Sequence, residues 1–137
     1  MTFRTTAVIT AIVTFVLGAG YLVAGQILVG RWQIEPTESV LLFGRRIGAL
    51  YLGLAVIFFL VRSAAASVAR SALCTGAAVT CSLLAILGVY EFTAGRAGAG
   101  ILASVAIESL LALAYIRLLV IERKNAAGSS QPQDGSA

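Results

Sequence analysis

The sequence has no histidine. Its absence removes His-ligated haem, His-ligated zinc and every Ser/His or Cys/His nucleophilic arrangement from the chemistry open to this chain. Charge is scarce too. Asp, Glu, Lys and Arg make up 12% of 137 residues, roughly half the share of a soluble domain, and the long apolar runs leave no room for a separate water-facing fold. The only two cysteines, Cys74 and Cys81, stand seven apart in one helical run. They share a face but lie about 10 Å apart along the axis, too far for a disulfide. With no CxxC motif, both read as small packing residues. No metal-ligand cluster or cofactor motif is found, so neither a metal nor a cofactor is expected.

What is present in abundance is apolar length. Hydrophobic residues reach 59% and mean hydropathy is +0.96, which places the chain among integral membrane proteins. The net charge of +4 does not point to nucleic acid, because the basic residues flank apolar runs instead of clustering on one face. We expect an all-α integral membrane protein, a four-helix transmembrane bundle running up-down-up-down, with the lipid bilayer as its principal partner. The helices are expected at about 7–30, 40–62, 68–92 and 98–121, each long enough for a core of about 30 Å. Residues 125–137 are small and polar and read as a disordered cytoplasmic tail. A cleaved secretory leader is the competing reading of the first run, but the run is long for one and no convincing small-x-small site leads into a soluble domain.

The connections carry their own signals. Pro36 disfavours helix before it, Thr37 is a good N-cap and Glu38 a favourable first-turn acid, so helix 2 should start there. Trp32 reads as an interfacial anchor. Arg4, Arg62, Arg70, Arg117, Arg123 and Lys124 fall on one side of the membrane; Arg31, Arg45, Arg46 and Arg96 fall on the other. The positive-inside rule then favours both termini in the cytoplasm. A weak echo joins Gly44-Arg45-Arg46-Ile47-Gly48-Ala49 to Gly95-Arg96-Ala97-Gly98-Ala99-Gly100, though glycine and alanine are frequent enough for chance to produce it.

Glu108 is the most informative residue. It lies deep in an apolar helix, where an ionisable group is costly and is a functional candidate by default. Gly100, Ser104, Glu108 and Ala112 follow at steps of four and form one stripe of small residues, so Glu108 should face the bundle or a subunit interface. It reads either as a proton carrier, acid/base or ligand anchor, or as a protonated acid bonding a neighbouring helix. Glu91, near the outer end of helix 3, lies at a depth similar to Arg45, Arg46 and Arg96. An ion-pair network there is expected, as a stabilising pair or as a charged mouth. Two adjacent arginines point about 100° apart, so at least one of Arg45 and Arg46 is a candidate to face inward. Tyr21, Tyr51, Tyr90 and Tyr115 fall one to each helix, and Tyr90 and Tyr115 are expected at the membrane interface. Small-residue pairs at Gly20/Ala24, Gly44/Gly48, Ala49/Gly53 and Cys74/Ala78/Ser82 support close helix packing.

The stretch Gly44-Arg45-Arg46-Ile47-Gly48-Ala49-Leu50-Tyr51-Leu52-Gly53-Leu54-Ala55, followed by Phe58-Phe59-Leu60-Val61-Arg62, resembles the second-helix signature of the DoxX-like group of small bacterial four-helix membrane proteins. The resemblance implies a multi-pass protein of the bacterial inner membrane. A few members of the group are linked to membrane-associated redox complexes, but this chain lacks the histidine or paired cysteines of direct redox chemistry. Small multidrug-type transporters also carry a membrane glutamate, but in helix 1, which has no acid here. Three function classes remain. The first is a non-enzymatic binding module for a lipophilic molecule, or a subunit of a membrane complex or homo-oligomer. The second is a proton-coupled transporter using Glu108. The third is a membrane enzyme with Glu108 as acid/base beside an outer arginine.

Overall fold

The computed structural model describes residues 2–129. Four helices follow one another: α1 (Phe3–Arg31), α2 (Glu38–Val61), α3 (Val68–Thr93) and α4 (Ile101–Ser129). All four are long and apolar enough to cross a membrane. The fold is therefore an all-α bundle of four candidate membrane-spanning helices.

Capping explains most of the boundaries. The Thr2 hydroxyl accepts the Thr5 N–H, so α1 starts four residues before the apolar run. Thr37 accepts from Val40 N–H at the start of α2, and Ser67 accepts from Arg70 N–H at the start of α3. The largest departure is at α4. It begins at Ile101, three residues after the expected start, and runs on through Glu122-Arg123-Lys124 to Ser129. Charges end a membrane span but do not end a helix, and Glu, Arg and Lys are good helix formers. The tail expected to be disordered thus contributes its first residues to α4, while 130–137 lie outside the described residues.

Packing divides the bundle into two hairpins. α1 packs along α2 and α3 along α4, with a thinner α1–α4 contact joining the pairs, and α2 and α3 do not pack along their lengths. The α1–α2 crossing is fixed at Gly18 and Gly48. A Cβ on either would come within 3 Å of the other's carbonyl oxygen, so only glycine permits that approach. Of the small-residue pairs, Gly44 and Gly48 are buried whereas Ala49 and Gly53 are exposed. Cys74 and Ala78 are buried in the α3–α4 hairpin, and Gly88 meets Val105. α1 leaves helical geometry at Ala24, with φ −132° and ψ 33°, which kinks it.

Three ties hold the hairpins together. At one end the Arg70 guanidinium of α3, held within its own hairpin by Glu122, whose carboxylate also accepts from Ser71 at 3.0 Å, reaches across to lie 4.9 Å from the centre of the buried Phe3 ring of α1. At the other end Gly98 N–H donates to the Trp32 carbonyl at 2.7 Å. There the α3–α4 corner presses so closely on the first loop that a Cβ on Gly100 would collide with the Arg31 carbonyl. That backbone docking keeps Gly98–Gly100 out of α4. The two halves of the sequence echo consequently differ: Gly44–Ala49 is helical and Gly95–Gly100 forms the corner. Between the ends, Thr10 and Tyr115 share a buried hydrogen bond of 2.7 Å.

A candidate binding cleft between the hairpins

Because α1 touches α4 while α2 and α3 stand apart, a space is left with α1 and α4 as its floor. It is a cleft of about 470 Å³ with walls from α2 and α3, within the range of small-molecule sites. Leu17 of α1, Leu54 and Ile57 of α2, Leu73 and Leu84 of α3 and Leu111 of α4 make it mainly apolar. Leu54 and Ile57 are 37% and 43% exposed, so its outlet lies on the α2–α3 side, where a bilayer would supply lipid.

Glu108 lies in this cleft, with Ser104 one turn away on the same face of α4. The stripe of small residues does turn inward: Ser104 and Glu108 are half-buried and Ala112 is buried. Glu108 is seven residues into α4, about 10 Å from its start, and so nearer the N-terminal end of the helix than a start at Gly98 implies. Among the described residues no arginine or lysine lines the cleft, and Glu108 is its one charged-type residue. Tyr51 and Cys81 share the cleft lining with it.

The polar groups of the cleft fall into two sets. Thr10 and Thr14 on the floor already use their hydroxyl protons, donating to the carbonyls of Thr6 and Thr10 four residues back at 2.9 and 2.8 Å. Glu108, Ser104, Tyr51 and Thr80 make no side-chain hydrogen bond to any of the described residues. In a hydrocarbon setting such groups are costly until something satisfies them.

The other predicted candidates lie elsewhere. Glu91 pairs with Arg96 of its own corner, at 2.6 and 3.1 Å, and the Arg96 guanidinium sits 4.8 Å from the Tyr90 ring centre. The hydrogen bond from Arg96 to Glu91 raises the arginine's pKa, fixing its charge. The wider network with Arg45 and Arg46 does not form. Both arginines are exposed, and Arg45 Nε only approaches the Leu41 carbonyl at 3.4 Å. The reason is rotational: α2 buries Gly44, Gly48, Ala55 and Phe58, and the next two positions after Gly44 point away from that face.

One tyrosine and one cysteine also differ from expectation. Tyr115, expected at an interface, is fully buried in the core. Tyr51 stacks on the buried Tyr21 with ring centres 6.3 Å apart, and Tyr21 meets Trp32 edge-on at 6.4 Å. Cys74 is a buried packing residue, whereas Cys81 lines the cleft. Tyr90, by contrast, is 58% exposed near the end of α3. Among the described residues no group of three or more His, Cys, Asp or Glu side chains is placed to hold a metal.

Comparison with protein-family models, with curated proteins and with solved structures finds no match to this chain. The functional reading therefore rests on the cleft.

Proposed function

We propose that the protein is a non-enzymatic binding module of the bacterial inner membrane, both termini cytoplasmic, that holds a lipophilic molecule in the α2–α3 cleft. The observation carrying this reading is the cleft's composition: an apolar space of about 470 Å³ with one inward-facing carboxyl and no opposing protein charge. Apolar walls with a few convergent polar groups are the general form of a small-molecule site. The DoxX-like signature of α2 is compatible with this reading, and service as a subunit of a membrane complex is a variant of it in which the occupant belongs to a partner.

The same geometry ranks the alternatives lower. The enzyme reading needs an arginine beside Glu108 to hold an oxyanion, but Arg45, Arg46 and Arg96 do not line the cleft. A transporter needs access to both aqueous sides. Here the outlet of the cleft opens sideways, between α2 and α3, where those helices do not pack.

Native mass spectrometry of the protein purified in mild detergent tests the proposal, using wild type and Gly76→Phe. Gly76 lines the cleft and an added Cβ meets nothing within 4 Å, so the larger side chain fills the space without a clash at its base. A specific lipophilic guest on wild type that is lost from Gly76→Phe supports the reading. Equal guest populations on both proteins contradict it.

A further inference from the structure

The chemistry of the cleft narrows the occupant. A fully apolar guest leaves the Glu108 carboxyl without a partner, and an acidic guest sets a second carboxylate or phosphate against it with no cation to compensate. A cationic guest supplies the missing charge. Its remaining N–H groups then have acceptors at hand in the hydroxyls of Ser104 and Tyr51, neither committed to another residue. Among the described residues no lysine or arginine lines the cleft, so none of them competes there for the carboxylate. The Tyr51 and Phe58 rings in the lining are further suited to a cation, which is attracted to an aromatic face.

We infer that the cleft selects a lipophilic amine: an apolar body seated between α2 and α3, with one protonated nitrogen paired to the Glu108 carboxylate. The inference rests on the binding reading above and adds the class of ligand to it. The guest enters from the bilayer through the gap where α2 and α3 fail to pack, and its nitrogen travels inward along the α4 floor. An alkylammonium fits this role because its amine is protonated at neutral pH, with an ordinary pKa near that of lysine.

Equilibrium binding to the full chain in nanodiscs of zwitterionic phospholipid tests the inference with three probes of one chain length: dodecylamine, dodecanol and dodecanoate. Empty nanodiscs correct for partition into lipid. The expected result is a wild-type preference for the amine over the alcohol of at least about tenfold, the scale of one charge-assisted hydrogen bond, with the carboxylate weakest. Glu108→Gln should remove the preference, Glu108→Asp should keep most of it, and Gly76→Phe should weaken every probe. If amine and alcohol bind wild type equally, or if Glu108→Gln retains the preference, the amine inference is overturned. Continued sensitivity to Gly76→Phe would then leave the cleft as a general lipophile site. If no probe shows binding that Gly76→Phe removes, the amine inference and the binding reading fail together.

Discussion

The buried pair Thr10–Tyr115 predicts an unequal response to removal of its two partners. The Thr10 hydroxyl proton is already given to the Thr6 carbonyl at 2.9 Å. In the 2.7 Å contact with Tyr115, then, the tyrosine donates and Thr10 accepts. Tyr115→Phe deletes the donor and leaves behind only a threonine lone pair, with the threonine proton still satisfied. The cost should be that of one interhelical hydrogen bond in a membrane protein, about 0.6 to 1.7 kcal/mol. Thr10→Val instead leaves the tyrosine hydroxyl without an acceptor at a residue with 0% exposure, which should cost about 1–3 kcal/mol. The double variant removes the orphan, so it should be no less stable than Thr10→Val alone. The assay is reversible unfolding in mixed micelles at increasing dodecyl sulfate fraction, followed by helical circular dichroism, with all four proteins arranged as a double-mutant cycle. Equal costs that simply add, or a Tyr115→Phe variant less stable than Thr10→Val, would refute both the assigned direction of the bond and its place as the link between hairpins.

Other perturbations follow from the same contacts. Gly100→Ala drives a Cβ into the Arg31 carbonyl and should cost about 1–3 kcal/mol in the same unfolding assay, while Gly53→Ala, with open space around it, should stay within about 0.5 kcal/mol of wild type. Glu122→Ala strips Arg70 and Ser71 of a shared acceptor whose side chain is only 21% exposed; a loss of about 1–3 kcal/mol is expected, below that of a fully buried ion pair. Glu91→Ala breaks a more exposed pair, with Arg96 at 52% exposure, and should leave the unfolding transition close to that of wild type. Alkylation of unfolded and folded protein with a small permeant maleimide, read by peptide mass, should show Cys74 protected by folding far more than Cys81, because Cys74 is fully buried and Cys81 borders the cleft.

The four helices were legible because an apolar run of about 20 residues has few other uses. The inward turn of Ser104 and Glu108 was legible for a similar reason, since polar groups in such a run avoid lipid. Helix ends were less so. Glu122 marks where a span should stop, yet Glu, Arg and Lys favour helix, so α4 continues beyond that point. The direction of Arg45 and Arg46 depended on which face of α2 meets α1, and that was set by the contact of Gly48 with Gly18, a partner that no local pattern names. One signal was present and passed over. Thr6, Thr10 and Thr14 step by four along α1 and are all buried, an inside face built of small polar residues while Phe15 and Val16 point outward. The cleft itself had no local signature, because it exists only where α2 and α3 fail to meet. Tyr51, Thr80 and Cys81 join Glu108 only through that tertiary arrangement.

The most direct test of the central claim is photo-crosslinking in nanodiscs with matched diazirine-bearing alkyl probes, one an amine and one an alcohol, followed by peptide mapping. Adducts should concentrate on cleft residues such as Leu54, Ile57, Leu73 and Leu84, be displaced by excess unlabelled probe and be lost in Gly76→Phe. Adducts spread evenly over outward-facing positions such as Phe15, Leu110 and Leu113, unchanged by Gly76→Phe, would mean that the probes report only surrounding lipid and that the cleft is not a binding site.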